Sequence, residues 1–191
     1  MSPGTPPLQH EFLAIDEGLG QLLHIDERHP ERNWIVPTGH AQARDLQLIG
    51  GGRELVGHDR GYSEFELATG KVLREVSTYG GVTSVRRRAN GNTLLAGVGL
   101  AGVEPGVGLA GVGLAGVGLA GEPRVAVLEL DEQGTLQGQT AFPATYLRLL
   151  RETAGGTWLM MNGSLLTEGD RSGRLIHEWS VPGFRHAWKA V

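Results

Sequence analysis

Apolar and polar residues alternate over short segments through most of this chain, as in SEFELA at 63–68 and VAVLELD at 125–131. Alternation with a period of two is typical of a β-strand that has one covered face. The segments are separated by turns rich in glycine and asparagine, where a positive φ costs little. No segment carries a convincing apolar stripe at helical spacing. The pattern therefore predicts an all-β protein of short strands joined by tight turns.

A unit of four strands recurs along the chain with a period of 39 residues. The pattern predicts first strands at Arg44–Leu48, Thr83–Arg87 and Tyr146–Leu150, third strands at Ser63–Leu67 and Val125–Leu130, and fourth strands at Val72–Val76 and Leu175–Trp179. The second strand of each unit carries an apolar or aromatic residue at the same place. These residues are Leu55, Leu94 and Trp158, which are separated by 39 and then 64 positions. The last turn of each unit carries a glycine. These are Gly70, Gly134 and Gly173, which are separated by 64 and then 39 positions. Repeats of about 40 residues built from short strands are typical of β-propellers.

The two long intervals each exceed the period by 25 residues, and both contain residues 97–121. This segment consists mainly of the pentad Gly-Val-Gly-Leu-Ala, which occurs four times. Removing it restores the period, so we predict a low-complexity loop inserted into a hairpin rather than a separate domain. Its glycine content disfavours a stable helix.

The two ends of the chain predict parts of one further unit. Three segments match the second, third and fourth strands: EFLAID at 11–16, GQLLHID at 20–26 and NWIVPT at 33–38. FRHAWKAV at 184–191 matches a first strand, and four blades result if this strand docks beside Leu13. The alternative is a part of a larger propeller. We interpret residues 1–9 as a disordered tail and residues 10–191 as the propeller.

Composition restricts the classes of partner. The formal net charge of −4 gives no basic excess, so we expect no nucleic-acid partner. Arg86, Arg87 and Arg88 form the one basic run, which we expect to be a solvated rim. The chain has no cysteine, which excludes disulfides and thiol nucleophiles. It also lacks a signal-peptide pattern and a long apolar span, so we expect no membrane insertion, with the cytoplasm as default location.

The segment FELATGKVLREV at 65–76 resembles the repeat of quinoprotein-like (PQQ-type) propellers, and Thr69, Gly70 and Lys71 match the Thr-Gly-Lys of that repeat. Arg74 and, in the last unit, His177 stand where that family has a docking tryptophan. The segment GNTLLAG also resembles the repeat of arylsulfotransferase-type propellers. The resemblance implies a propeller fold and leaves the cofactor unknown.

Candidate binding residues follow from the predicted fold, because the first strand of each blade lines a central channel and the loops that lead into it gather at one mouth. Six polar residues lie in these regions: His40, Arg44, Arg86, Tyr146, Arg148 and His186. They predict a polar, cationic funnel that suits a small anionic or hydroxylated ligand. The alternative role for them is to hydrogen-bond neighbouring turns and tie blades together.

Two further clusters contain histidine. His58 and Asp59 lie in a turn between strands, where the aspartate could orient the imidazole as a general base or instead cap backbone N–H groups. His24 and Asp26 share a strand face, but no third ligand stands at a suitable spacing, so we predict no metal site.

Three functional hypotheses remain open from the sequence. The first is a binding scaffold for a small polar or anionic molecule, or for a protein. The second is an enzyme of the quinoprotein or sulfotransfer kind with His40, Arg44 and His186 at its site. The third is a non-functional truncation, which we expect to self-associate through an open blade edge.

Overall fold

A computed structural model describes residues 9–101, 124–144, 146–180 and 182–183 of the protein. Across these residues the fold is all-β, with four antiparallel sheets. The one helical element among them is a 3₁₀ turn at Pro30–Arg32. No helix in the described ranges is long and apolar enough to cross a membrane.

The first sheet, which we call blade 1, has three strands in the order β1-β2-β3. They span Glu11–Asp16, Gln21–Asp26 and Trp34–Pro37. Alternate residues of β2 are buried, and two of them, His24 and Asp26, are polar, so the covered face of this strand is not purely apolar. Within the described part of the chain β1 is an edge strand, and its predicted partner at 184–191 lies outside that part.

Blades 2, 3 and 4 each have four strands in up-and-down order. Blade 2 contains β4 Asp45–Gly50, β5 Arg53–His58, β6 Gly61–Glu66 and β7 Val72–Val76. Blade 3 contains β8 Gly80–Arg87, β9 Thr93–Ala101, β10 Val125–Leu130 and β11 Leu136–Phe142. Blade 4 contains β12 Leu150–Glu152, β13 Trp158–Asn162, β14 Leu165–Gly169 and β15 Leu175–Ser180.

The apolar core lies between consecutive blades rather than inside any one of them. From blade 1 to blade 4, each consecutive pair of blades shares one cluster of buried side chains, for example Leu22 with Phe65, Leu55 with Val85, and Phe142 with Trp158. The first strands β4, β8 and β12 approach one another, and Ser84 of β8 bridges to both Asp45 and Leu150. Face-to-face blades with their first strands together define a β-propeller, so the predicted fold class is confirmed.

The predicted first strand of the last unit, Tyr146–Leu150, is wrong, because β12 spans Leu150–Glu152. The Arg148 N–H donates to the Met161 carbonyl, and the Met161 N–H donates to the Leu149 carbonyl, at 2.9 and 3.0 Å. Two residues therefore oppose one, which is the pattern of a β-bulge. The bulge delays the regular ladder until Leu150.

The first Gly-Val-Gly-Leu-Ala pentad, residues 97–101, belongs to β9. Gly97 pairs with Ala126 on one side and Val82 on the other. A Cβ atom at Gly97 would lie 2.0 Å from the Gly81 carbonyl oxygen, so the backbone approach requires glycine. The strand thus continues past the boundary at 97 that the repeat period suggests. The later pentads lie outside the described residues.

Candidate functional site

The loops that lead into the first strands lie at one end of the blades, which we call the mouth face. Residues 38–44 lead into β4, and residues 146–149 lead into β12. Because the strands of a blade run alternately up and down, the turns between second and third strands reach the same end. These are residues 17–20 in blade 1 and residues 59–60 in blade 2.

A carboxylate at the mouth face holds two guanidinium groups from different loops. Glu17 Oε1 accepts a hydrogen bond from Arg44 Nε at 2.6 Å, and its Oε2 lies 3.5 Å from an Arg148 nitrogen. Partial burial acts to raise the pKa of Glu17, but the hydrogen bond and charge of Arg44, with those of Arg148, hold it below its ordinary value. The three side chains link blade 1 to the loops before blades 2 and 4.

A second carboxylate lies just below the mouth and is buried, with Asp45 only 3% exposed. Ser84 Oγ donates to Asp45 Oδ2 at 2.6 Å, and the Val85 N–H donates to the same oxygen at 3.0 Å. The guanidinium groups of Arg86 and Arg151 lie 3.2 and 3.3 Å from Asp45 Oδ1. Burial lowers the pKa of Arg86, which the charge of Asp45 opposes. This network ties the first strands of blades 2, 3 and 4 together.

A third cluster forms where the loop into blade 2 meets a turn of the same blade. The imidazole rings of His40 and His58 stack with centroids 3.8 Å apart and an interplanar angle of 9°. Asp59 lies beside them, so that one ligand atom from each of the three residues falls within 4.8 Å of the others. His40 Nε2 also contacts Glu75 Oε2 at 3.1 Å.

The electrostatics of this cluster favour one neutral imidazole. Burial lowers the pKa of His58 to about 4, and the charge of His40 contributes to the same shift. The hydrogen bond from His40 lowers the pKa of Glu75. His58 therefore keeps a nitrogen lone pair near neutral pH, while Glu75 is ionised.

The predicted cationic funnel is divided between these clusters, and its cations have carboxylate partners. Arg44 and Arg148 share Glu17, and Arg86 lies deeper, on Asp45. His40 joins His58 instead of the arginines. Tyr146 is 45% exposed on a mouth loop. His186 lies outside the described residues.

Sequence reasoning missed the partner groups Glu17, Asp45, Ser84 and Glu75. A signal for one pair was present, because Asp45 and Ser84 are 39 positions apart and thus occupy equivalent places in successive units. Polar residues at equivalent inner positions converge on the axis of a propeller. Glu17 and Glu75 carried no comparable signal.

The expectation of a solvated arginine rim is wrong. Arg86 pairs with Asp45, Arg87 with Glu64, and Arg88 with Glu129 and Glu152. The side chains of Arg87 and Arg88 are only 13% and 18% exposed. Because these carboxylates come from blades 2, 3 and 4, the basic run joins neighbouring blades.

A polar cleft of about 430 Å³ lies between blades 2 and 3, at the end away from the mouth face. Its guanidinium groups from Arg53 and Arg87 both pair with Glu64. The remaining lining residues include Leu73, Arg74 and Glu132. We interpret the cleft as part of the inter-blade ion-pair system.

The fold and the axial polar clusters define this chain as a β-propeller protein. No protein-family model matches the chain, and no curated protein matches it in sequence.

Several solved structures are similar to this chain in fold. A protein of unknown function from Bacteroides caccae aligns with a TM-score of 0.62 at 17% identity, covering 92% of this chain and 59% of that one. Hydrazine synthase from Kuenenia stuttgartiensis aligns with a TM-score of 0.56 at 9% identity, covering 90% of this chain and 46% of that one. This chain therefore spans roughly half to three fifths of the length of these neighbours, and the likeness concerns the fold.

Proposed function

We propose that this protein is a β-propeller binding scaffold that holds a small anionic molecule at its mouth face, on Arg44 and Arg148. The observation that carries the proposal is the pair of guanidinium groups, from two different loops, on the single carboxylate of Glu17. Charge-assisted bonds from arginine to a carboxylate or phosphate are among the strongest polar contacts in proteins. Glu17 thus occupies the position that a ligand anion would take.

The position of the arginines supports an anionic ligand. Two arginines face Glu17 at the mouth, and two more face Asp45 below it. Guanidinium groups are thus concentrated at and below the mouth face, which favours an anion. Since the Glu17 side chain is 40% exposed, it can rotate away when an external anion arrives, whereas Asp45 is fixed by Ser84 and its buried position.

The geometry gives less support to turnover. An enzyme with His40 and Arg44 at one site would need both side chains on the same substrate. Instead His40 contacts Glu75 and His58, while Arg44 contacts Glu17. We therefore favour binding over catalysis.

Calorimetric titration with inorganic phosphate and with succinate tests the proposal, at a constant ionic strength set with sodium chloride. We expect one saturable site for at least one of these anions. Arg44→Ala and Arg148→Ala should each weaken it about tenfold or more, because each removes a charge-assisted hydrogen bond. Arg174→Ala is the matched control, since Arg174 pairs with Asp170 in the β14–β15 turn, at the opposite end of the blades from the mouth face.

Two outcomes contradict the proposal. One is the absence of saturable binding of either anion to the wild-type protein. The other is a loss of affinity in Arg174→Ala that equals the loss in the mouth variants, since this would indicate a general charge effect.

A further inference from the structure

Two histidines and an aspartate meet at the edge of the mouth face without a role in the proposed anion site. His40 comes from the loop before β4, whereas His58 and Asp59 come from the end of β5 and the turn that follows. Their ligand-type atoms all lie within 4.8 Å of one another. Bond lengths of about 2.0–2.2 Å place the ligands of a tetrahedral zinc ion about 3.4 Å apart. The stacked rings must therefore tilt apart, so that their nitrogen lone pairs converge, before this set closes around an ion.

The chemistry of the three groups is that of a metal site. Nitrogen from imidazole with oxygen from carboxylate suits Zn²⁺ and related divalent transition metals better than Mg²⁺ or Ca²⁺, which prefer oxygen alone. His58 is 1% exposed, so its ring is held in place by packing.

An unpaired polar atom provides an independent indication. Asp59 Oδ1 is buried and has no hydrogen-bond partner among the described residues. A buried carboxylate oxygen without a partner carries a free-energy cost, because it has lost its water. A cation bound between Asp59 and the two imidazoles would remove that cost. Stacking of the two imidazole rings does not provide a partner for this oxygen.

Groups around the three candidate ligands hold them in orientation. Glu75 Oε2 contacts His40 Nε2 at 3.1 Å, and Ser63 Oγ lies 3.4 Å from His58 Nε2. A carboxylate behind a metal-bound histidine fixes the ring and raises its basicity. The Arg60 N–H also approaches His58 Nδ1 at 3.3 Å, and a metal bound through Nδ1 would displace this long contact.

We propose that His40, His58 and Asp59 form a divalent transition-metal site, with Zn²⁺ as its representative ion and Glu75 as a positioning residue for His40. Three protein ligands leave a fourth coordination position for water or for a small ligand. The sequence predicted no such site, because its ligands come from two separate segments with no metal-type spacing. The inference does not depend on anion binding at Arg44 and Arg148.

The test uses the full 191-residue chain, treated with EDTA and dialysed. Zn²⁺ is titrated by calorimetry, and Co²⁺ is titrated by visible absorption as a spectroscopic probe of tetrahedral coordination. We expect one ion per chain, a Co²⁺ spectrum of tetrahedral type, and a melting temperature that rises with added Zn²⁺. Asp59→Asn, His40→Gln and His58→Gln should each lower the affinity at least tenfold. Glu75→Gln should lower it less and keep the stoichiometry.

The matched control is His29→Gln. His29 is also a histidine against an aspartate, with its Nδ1 3.0 Å from Asp26 Oδ2, but it lies outside the cluster. The His29→Gln variant should bind Zn²⁺ with the affinity of the wild type. Circular dichroism of each metal-free variant checks folding, and the partly exposed Asp59 keeps the test valid if His58→Gln unfolds.

Three outcomes overturn the proposal. The first is no binding of one equivalent of Zn²⁺ or Co²⁺ at micromolar concentrations. The second is an unchanged affinity in folded Asp59→Asn and His40→Gln. The third is an equal loss in His29→Gln, which would assign the binding to surface histidines in general.

Discussion

Ser84 donates its hydroxyl hydrogen to Asp45 at 2.6 Å, and the two residues lie one structural repeat apart. The same serine oxygen accepts the Leu150 N–H at 3.1 Å, so the contact extends to a third blade. Repetition of a polar residue at the inner strand thus produces a shared hydrogen-bond centre at the axis. Polar contacts of Ser84 thus join three blades, in addition to the apolar clusters between them.

Asp45→Asn should destabilise the protein, because it leaves Arg86 and Arg151 near the axis without their anion. Breaking one side of a buried ion pair costs about 3–5 kcal/mol. We expect a loss in that range in the free energy of unfolding, measured by urea denaturation. Glu31→Gln on the exposed 3₁₀ turn is the control and should change the value by less than about 0.5 kcal/mol. A change below about 1 kcal/mol in Asp45→Asn contradicts the structural role of the network.

Glu54 should make stability fall as the pH rises. Its carboxylate is fully buried with no hydrogen-bond partner among the described residues, and burial raises its pKa to about 7 against the opposing charge of His24. Between pH 4.5 and 7 the folded protein keeps a proton that the unfolded chain has lost. The stabilising contribution is therefore complete below pH 4.5 and is lost as the pH rises through 7, by about 3 kcal/mol in total.

Glu54→Gln removes this titration. The difference in unfolding free energy between variant and wild type, measured from pH 4.5 to 9, should change steadily in favour of the variant and level off above pH 8. A difference that is independent of pH would show that Glu54 titrates normally in the folded protein.

Gly169→Ala should disrupt the packing of blade 4 on blade 3. A Cβ atom at Gly169 would lie 2.2 Å from a carbon of the Phe142 ring, which is fully buried. Overpacking of this kind costs about 1–3 kcal/mol or more, which should lower the melting temperature by several degrees. Gly138→Ala in β11 is the matched control, since nothing lies within 4 Å of its added Cβ.

The double variant Gly169→Ala/Phe142→Leu should recover part of that loss, because the smaller side chain gives room. Equal melting temperatures for Gly169→Ala and Gly138→Ala would contradict the close approach of the two blades.

Glu17→Gln should increase the affinity of the mouth face for anions. Glu17 places its negative charge against Arg44 and Arg148, and the neutral amide removes this charge, which competes with an external anion. We expect phosphate or succinate to bind several-fold more tightly, by titration calorimetry at fixed ionic strength. Glu27→Gln, at an exposed position remote from these arginines in the sequence, should leave the affinity unchanged. Weaker binding in Glu17→Gln would assign Glu17 a direct role in holding the ligand.

The strands of this fold follow from the sequence because alternation and the repeat period act at short range. β10 and β7 have the bounds that the pattern predicts, and β9 and β13 begin next to the predicted glycine-rich turns. β12 was misplaced because a bulge depends on its partner strand. Two successive residues oppose Met161, and no local pattern at Tyr146–Leu150 indicates this.

The clusters were less predictable, because they depend on which loops face each other across the mouth. The arginines at 44 and 148 follow from the position of the mouth loops, but their partner Glu17 comes from a turn of blade 1. His40 and His58 were assigned to separate sites, since 18 positions divide them and only the folded blade stacks their rings. A repeat period specifies positions within a blade, whereas contacts between blades join residues that are far apart in the sequence.

The bond between Glu17 and Arg148 spans 131 positions of the chain. During translation the glutamate is made before blades 2 and 3, and Arg148 follows them. A nascent chain that ends within blade 3 holds Glu17 and Arg44 but lacks the second cation. The proposed capture of an anion by both arginines therefore requires synthesis to have reached the loop before blade 4.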